Sequence, residues 1–162
     1  MSQPDTFVIV DGNSLMHRAF HALPPLSNED GVFTNAVFGF LSMLFKVIGD
    51  EQPRYLAVAF DLPSPPFRHK LYPEYKGTRK PAPSEFTEHI PVLRSLLDQM
   101  GIPVVSAEGW EADDVLGSLA GQAEASGYEV RILSGDRDLL QTVTDSTVVV
   151  IPKTKGGQTV YE

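Results

Sequence analysis

Two short apolar runs in this chain each end in an aspartate. Phe7-Val8-Ile9-Val10 precedes Asp11, and Tyr55 to Phe60 precedes Asp61. A third strand-like run, Glu129 to Leu133, leads into Gly135-Asp136-Arg137-Asp138. Short runs of this kind, bounded by turn residues, read as strands covered on both faces, which is how parallel sheets are built. Parallel strands deliver the residues after their carboxyl ends to one edge of the sheet. Aspartates far apart in the chain are therefore expected to meet there.

The segments between these runs carry helical signals. Leu15 to Leu23 reads as a short helix stopped by Pro24-Pro25, after a turn at Asp11-Gly12-Asn13. Asn35 caps a helix to about Asp50, with Val37, Phe38, Leu41, Leu44, Phe45 and Ile48 at helical spacing. Ser84 opens a helix to Met100, stopped by Gly101, and Glu111 to Ser126 forms another, stopped by Gly127. Ile102 to Val105, Thr147 to Ile151 and Thr159 to Tyr161 complete the strands, the last two near a Gly156-Gly157 turn. Strands alternating with helices specify an α/β fold with a central, mostly parallel sheet and helices on both faces. The 162 residues fit one domain spanning 1–162.

The acids fall into four clusters: Asp11; Asp61; Glu111, Asp113 and Asp114; Asp136 and Asp138. Each has an ordinary explanation. Asp11 suits a turn, and acids in a first helical turn favour the helix dipole by ~0.3–1 kcal/mol. A DxD after a strand also occurs in haloacid-type phosphatases. At ~100° per residue, Glu111 and Asp114 share a helix face that Asp113 does not. Together, crowded carboxylates at one sheet edge call for cations, and oxygen-only donors suit Mg²⁺ or Mn²⁺. His17, His21, His69 and His89 lack zinc spacing, and the absence of cysteine excludes thiolate sites and disulfides.

The net charge of −8 looks wrong for a nucleic-acid binder. Seven of the 21 acids belong to those clusters, however, and the remainder of the chain is nearly neutral. Residues 62–83 form a proline-rich excursion carrying Arg68, Lys70, Lys76, Arg79 and Lys80 against one acid, Glu74. Tyr72 and Tyr75 lie among the cations. Rings stack on unpaired bases at ~1–3 kcal/mol each, and cations neutralise phosphates. An acidic pit beside a basic strip suits a phosphate backbone approaching metal ions.

Taken in order, Asp-Gly-Asn-Ser, Ala-Phe-Asp, Phe-Arg-His-Lys-Leu-Tyr-Pro-Glu-Tyr-Lys-Gly-Thr-Arg, Glu-Ala-Asp-Asp-Val and Ser-Gly-Asp-Arg-Asp-Leu-Leu-Gln resemble the 5′ nuclease domain of bacterial DNA polymerase I. That family is flap endonuclease-like, with a PIN-like fold, and the resemblance runs along essentially the whole chain. It implies a 5′-3′ exonuclease and 5′-flap endonuclease that hydrolyses DNA and RNA-primer phosphodiesters in replication and repair. It implies metal ligation by Asp11, Asp61, Glu111, Asp113, Asp114, Asp136 and Asp138, with two Mg²⁺ or Mn²⁺ ions. Lys76 and Arg79 match the family's basic pair at the base of its arch, and residues 62–83 match the arch itself. Tyr75, Arg18, Arg68, Lys70 and Lys80 are the expected contacts to the nucleic acid.

The family domain continues past residue 162 into further acids and a helix-hairpin-helix, so this chain is expected to be a fragment lacking them. The expected partners are DNA with 5′ ends, flaps or RNA primers. The family is often fused to a polymerase, and the chain is expected to be monomeric, cytoplasmic and nucleoid-associated. No apolar run approaches the ~20 residues of a membrane span. Competing readings are a DNA-binding fragment that does not cut, a PIN-type ribonuclease and a small-molecule phosphatase.

Overall fold

A computed structural model describes residues 5–22, 35–60, 84–106, 112–155 and 158–161. Its five-stranded sheet has the order β3-β2-β1-β4-β5. The strands are β1 (Thr6–Asp11), β2 (Tyr55–Ala59), β3 (Val104–Val105), β4 (Glu129–Leu133) and β5 (Thr147–Val150). Every pairing is parallel, with Asp11 opposite Ala59 and Val10 opposite Leu133. The helices are α1 (Gly12–Ala22), α2 (Asn35–Glu51), α3 (Ser84–Gln99) and α4 (Ala112–Ala125), with a 3-10 helix at Arg137–Thr142. A separate antiparallel pair, β6 (Pro152–Lys155) and β7 (Gln158–Tyr161), follows β5.

The apolar strand runs are continuous because both sheet faces are covered. Val8, Val10, Val58 and Leu133 face α1, α2 and α3, packing on Leu15, Met16, Phe40, Leu44, Leu93 and Leu97. Ile9, Ala59, Val130, Ile132 and Val149 face α4, where Ala112, Leu116, Ala120 and Ala123 repeat at helical spacing. Leu116 is fully buried, and burying such a side chain contributes ~1.5–3 kcal/mol. Both predicted glycine stops are present. Gly101 and Gly127 have φ of +75° and +88°. In each case the following residue bonds back across the helix end, Ile102 N–H to the Leu97 carbonyl and Tyr128 N–H to the Ala123 carbonyl.

Two expectations shift. The Asp-Gly-Asn segment makes no turn: α1 begins at Gly12, directly after β1, rather than at Leu15. The Asp11 side chain explains this, since its Oδ1 accepts the Ser14 N–H at 3.3 Å and caps the helix. The third strand contains only Val104 and Val105. The Pro103 carbonyl still accepts from Val58 N–H at 3.0 Å, but proline has no N–H to give, which confines it to this sheet edge. The predicted arch, 62–83, lies outside the described residues, and so do Asp61 and Glu111.

Gly12 is where β1, α1 and the end of β2 come closest. A Cβ there would sit 2.8 Å from the Ala59 carbonyl oxygen and 2.7 Å from the Phe60 ring. In α4, a Cβ on Gly121 would meet nothing within 4 Å. Gly12→Ala is therefore expected to lose about 1–3 kcal/mol of stability. Gly121→Ala is expected to gain about 0.5–1 kcal/mol. Urea unfolding of the two variants measures both. Near the end of α4, the Glu124 carboxylate accepts from the hydroxyls of Thr144 and Thr147, which lowers its pKa. A lowered carboxyl pKa stabilises the fold above the unfolded-state value and stops doing so as pH falls through the folded one. Glu124→Gln is thus expected to lower the melting temperature at pH 7, with the difference closing in acid.

Candidate active site

The strand order places a switch point beside β1. From β1 the chain steps to β2 and β3 on one side, then returns to β4 and β5 on the other. Parallel sheets open a crevice outside the carboxyl ends of the strands at such a point. Asp11 ends β1 there, and Ser134-Gly135-Asp136 leaves β4 there. Helix α4 follows β3 and runs back to β4, so its first turn, with Asp113 and Asp114, starts at the same edge. Ala112 packs in one cluster with Ala59 and Leu139, next to the ends of β2 and the 3-10 helix.

The two halves of the crevice are joined by hydrogen bonds. Asp11 is 3% exposed, and its Oδ2 accepts the Ser134 hydroxyl at 2.7 Å. Ser134 Oγ in turn accepts the Asp136 N–H at 2.9 Å. Asp136 caps the 3-10 helix, with its Oδ1 accepting the Asp138 N–H at 2.8 Å. A second bridge runs from Gly135 N–H to Ser14 Oγ at 2.9 Å. Backbone pairing holds the frame, because Ser134 N–H donates to the Val150 carbonyl of β5.

Of the residues singled out from the sequence, Asp11 and Asp136 are thus brought together through Ser134. Asp138 sits in the same turn and is exposed, while Asp113 and Asp114 are half-buried. Arg18 is half-buried on the second turn of α1. Asp61, Glu111, Arg68, Lys70, Tyr75, Lys76, Arg79 and Lys80 lie outside the described residues. Among the described residues, no three His, Asp or Glu side chains converge closely enough to hold a metal ion. The donor chemistry nevertheless fits a hard divalent cation. Ionised carboxylates offer about four lone-pair positions each, so an oxygen that caps a helix or accepts from a serine can also meet a cation. Ser14 and Ser134 are the bridging residues that acid-counting missed.

The comparisons with known proteins bear on this edge. Residues 6–162 match the model of the 5′-3′ exonuclease, N-terminal resolvase-like domain. The chain belongs to this family. DNA polymerase I of Bacillus subtilis (strain 168) is 49% identical over 153 residues, covering 94% of this chain and 17% of that protein. The 5′-3′ exonuclease of Aquifex aeolicus (strain VF5) is 46% identical over 147 residues, covering 91% of this chain and 51% of that protein. The chain thus spans a small part of the polymerase relatives and about half of the shorter exonuclease. A bacteriophage T5 5′-exonuclease with bound zinc superposes with a TM-score of 0.71 at 22% identity, covering 89% of this chain and 54% of that one. A T5 flap endonuclease complexed with DNA and metal ions gives 0.71 at 21% identity, with the same coverage. At that identity the likeness establishes the fold, a parallel sheet flanked by helices. No helix among the described residues is long and apolar enough to cross a membrane.

Asp11 holds two elements together, which sets the sign of its removal. If its charge were only a burden on the site, Asp11→Ala would stabilise the fold. The loss of acceptors for the Ser134 hydroxyl and the Ser14 N–H is expected to win, at a cost of about 1–3 kcal/mol. Denaturant unfolding in EDTA measures the difference.

Proposed function

We propose that the chain is the catalytic core of a divalent-metal-dependent 5′-3′ exonuclease and 5′-flap endonuclease acting on DNA and RNA primers. The carrying observation is the Asp11–Ser134–Asp136 linkage at the switch point. Membership of the 5′-3′ exonuclease family supports it, as do the relatives named for that activity. The reaction is hydrolysis: a water oxygen bonds to phosphorus as one P–O ester bond breaks, and the departing oxygen takes up a proton.

Asp11, Asp61, Glu111, Asp113, Asp114, Asp136 and Asp138 would hold Mg²⁺ or Mn²⁺, directly or through water. The bound metal ions supply activation of the attacking water and neutralisation of the leaving oxygen. Zinc and unspecified metal ions in the T5 neighbours support divalent dependence without selecting magnesium. Lys76 and Arg79 offset charge gathering on the scissile phosphate. Arg18, Arg68, Lys70, Tyr75 and Lys80 hold the strand through phosphate neutralisation and ring stacking. Residues 62–83, outside the described residues, are on this reading the counterpart of the family's arch, and 1–162 are one unit. The setting is replication and repair in the bacterial cytoplasm and nucleoid. The chain acts as a monomer, within a polymerase polypeptide or separately.

A second reading is a binding module. In that case the chain binds branched DNA without cutting it. An end-labelled 5′-flap duplex, incubated with Mg²⁺ or with EDTA, separates the two readings. Cleavage in Mg²⁺ alone is expected. Asp136→Asn is expected to slow it by about 100-fold or more, the effect of several kcal/mol of lost charge stabilisation, with flap binding nearly unchanged. Lys76→Ala is expected to slow single-turnover cleavage by about 100-fold. A mobility shift without cleavage in any metal supports the binding module instead.

A further inference from the structure

We infer that Ser134 is a positioning residue. Its single hydroxyl sets the orientation in which the Asp11 and Asp136 carboxylates would meet a divalent cation. This rests on the metal-dependent reading above. Ser134 is fully buried just past the end of β4. A buried hydroxyl costs free energy unless its hydrogen bonds are made, and an alanine would fit the same space. The bonds it makes have a fixed direction. The Asp136 N–H can only donate, so Ser134 Oγ accepts there at 2.9 Å. Its one proton is thereby committed to Asp11 Oδ2, at 2.7 Å.

The chain of bonds runs Asp136 N–H, Ser134 O–H, Asp11 carboxylate, and each link polarises the next. The backbone N–H of Ser134 is held by the Val150 carbonyl, so the hydroxyl starts from a rigid frame. It thus fixes the rotation of the Asp11 carboxylate and the position of the turn that carries Asp136 and Asp138. Ser14 makes the contrast. Its hydroxyl oxygen accepts from Gly135 N–H, while Asp11 Oδ1 is held by its backbone N–H, which a substitution keeps. Groups that orient metal-ligating side chains typically change metal affinity by 10–100-fold when removed.

The test titrates Mn²⁺ into the chain without DNA, following free Mn²⁺ by paramagnetic resonance, and records melting in EDTA. Ser134→Ala is expected to weaken Mn²⁺ binding by about 10–100-fold. Ser14→Ala is expected to weaken it much less, and Ser134→Thr to restore most of the loss. Unchanged Mn²⁺ affinity in Ser134→Ala overturns the inference and leaves the nuclease reading standing. Equal weakening by the two alanine variants also overturns it, because any loosening of the loop would then suffice. A loss of melting temperature and affinity that threonine does not restore assigns Ser134 a packing role and overturns it as well. If the unsubstituted chain takes up no Mn²⁺, the metal-dependent reading fails and this inference fails with it.

Discussion

Everything at the candidate site depends on β1 lying between β2 and β4 in parallel register. Five register pairs tie β1 to each neighbour. Because pairing is parallel, the carboxyl ends of all three strands share an edge, and because β1 is central, the crevice opens at its own last residue. Alternation then matters. Asp11 follows Ile9 by two positions, so it belongs to the face covered by α4, whose first turn carries Asp113 and Asp114. A register slip of one residue would move Asp11 to the opposite face and break every link made by Ser134.

The electrostatics of the site have a source besides any cation. Asp11 caps α1, Asp136 caps the 3-10 helix, and Asp113 and Asp114 occupy the first turn of α4. Each acid therefore lies where unpaired backbone N–H groups give a partial positive charge. The fold can gather these carboxylates at modest cost. Capping by Asp11 and Asp136 does not compete with the proposed metal binding, since one carboxylate oxygen can accept a hydrogen bond and also meet a cation. The bonds that cap a helix also stop the carboxylate rotating.

The strands of the five-stranded sheet, the two glycine stops and the edge where Asp11 and Asp136 meet were legible in the sequence because each rests on a local pattern: apolar runs, Gly101, Gly127, and an aspartate just past a strand. The strand β6 was not, since Pro152–Lys155 has no apolar run. The start of α1 was not, because Asp-Gly-Asn suits a turn equally well, and only the bond from Asp11 to Ser14 N–H decides it. The strand order was also out of reach, since the apolar runs of β1 and β2 look alike until pairing puts β1 in the middle. Ser134 was invisible as a bridging group for a related reason. Its importance comes from a partner 123 residues away, and no local pattern carries that distance.

That separation also orders events in time. Ribosomes add ~5–20 residues per second, so roughly 6–25 s pass between the synthesis of Asp11 and that of Ser134. During that interval the growing chain carries an aspartate with no partner across the crevice and β1 with only one side of its ladder available. Contacts this distant close slowly, since loop closure must be met before they reward it. The link from Asp11 through Ser134 to Asp136 therefore forms late in synthesis. A nascent polypeptide would carry all the acidic motifs as far as Glu111-Ala112-Asp113-Asp114 well before the fold could join Asp11 to Asp136 in the last motif.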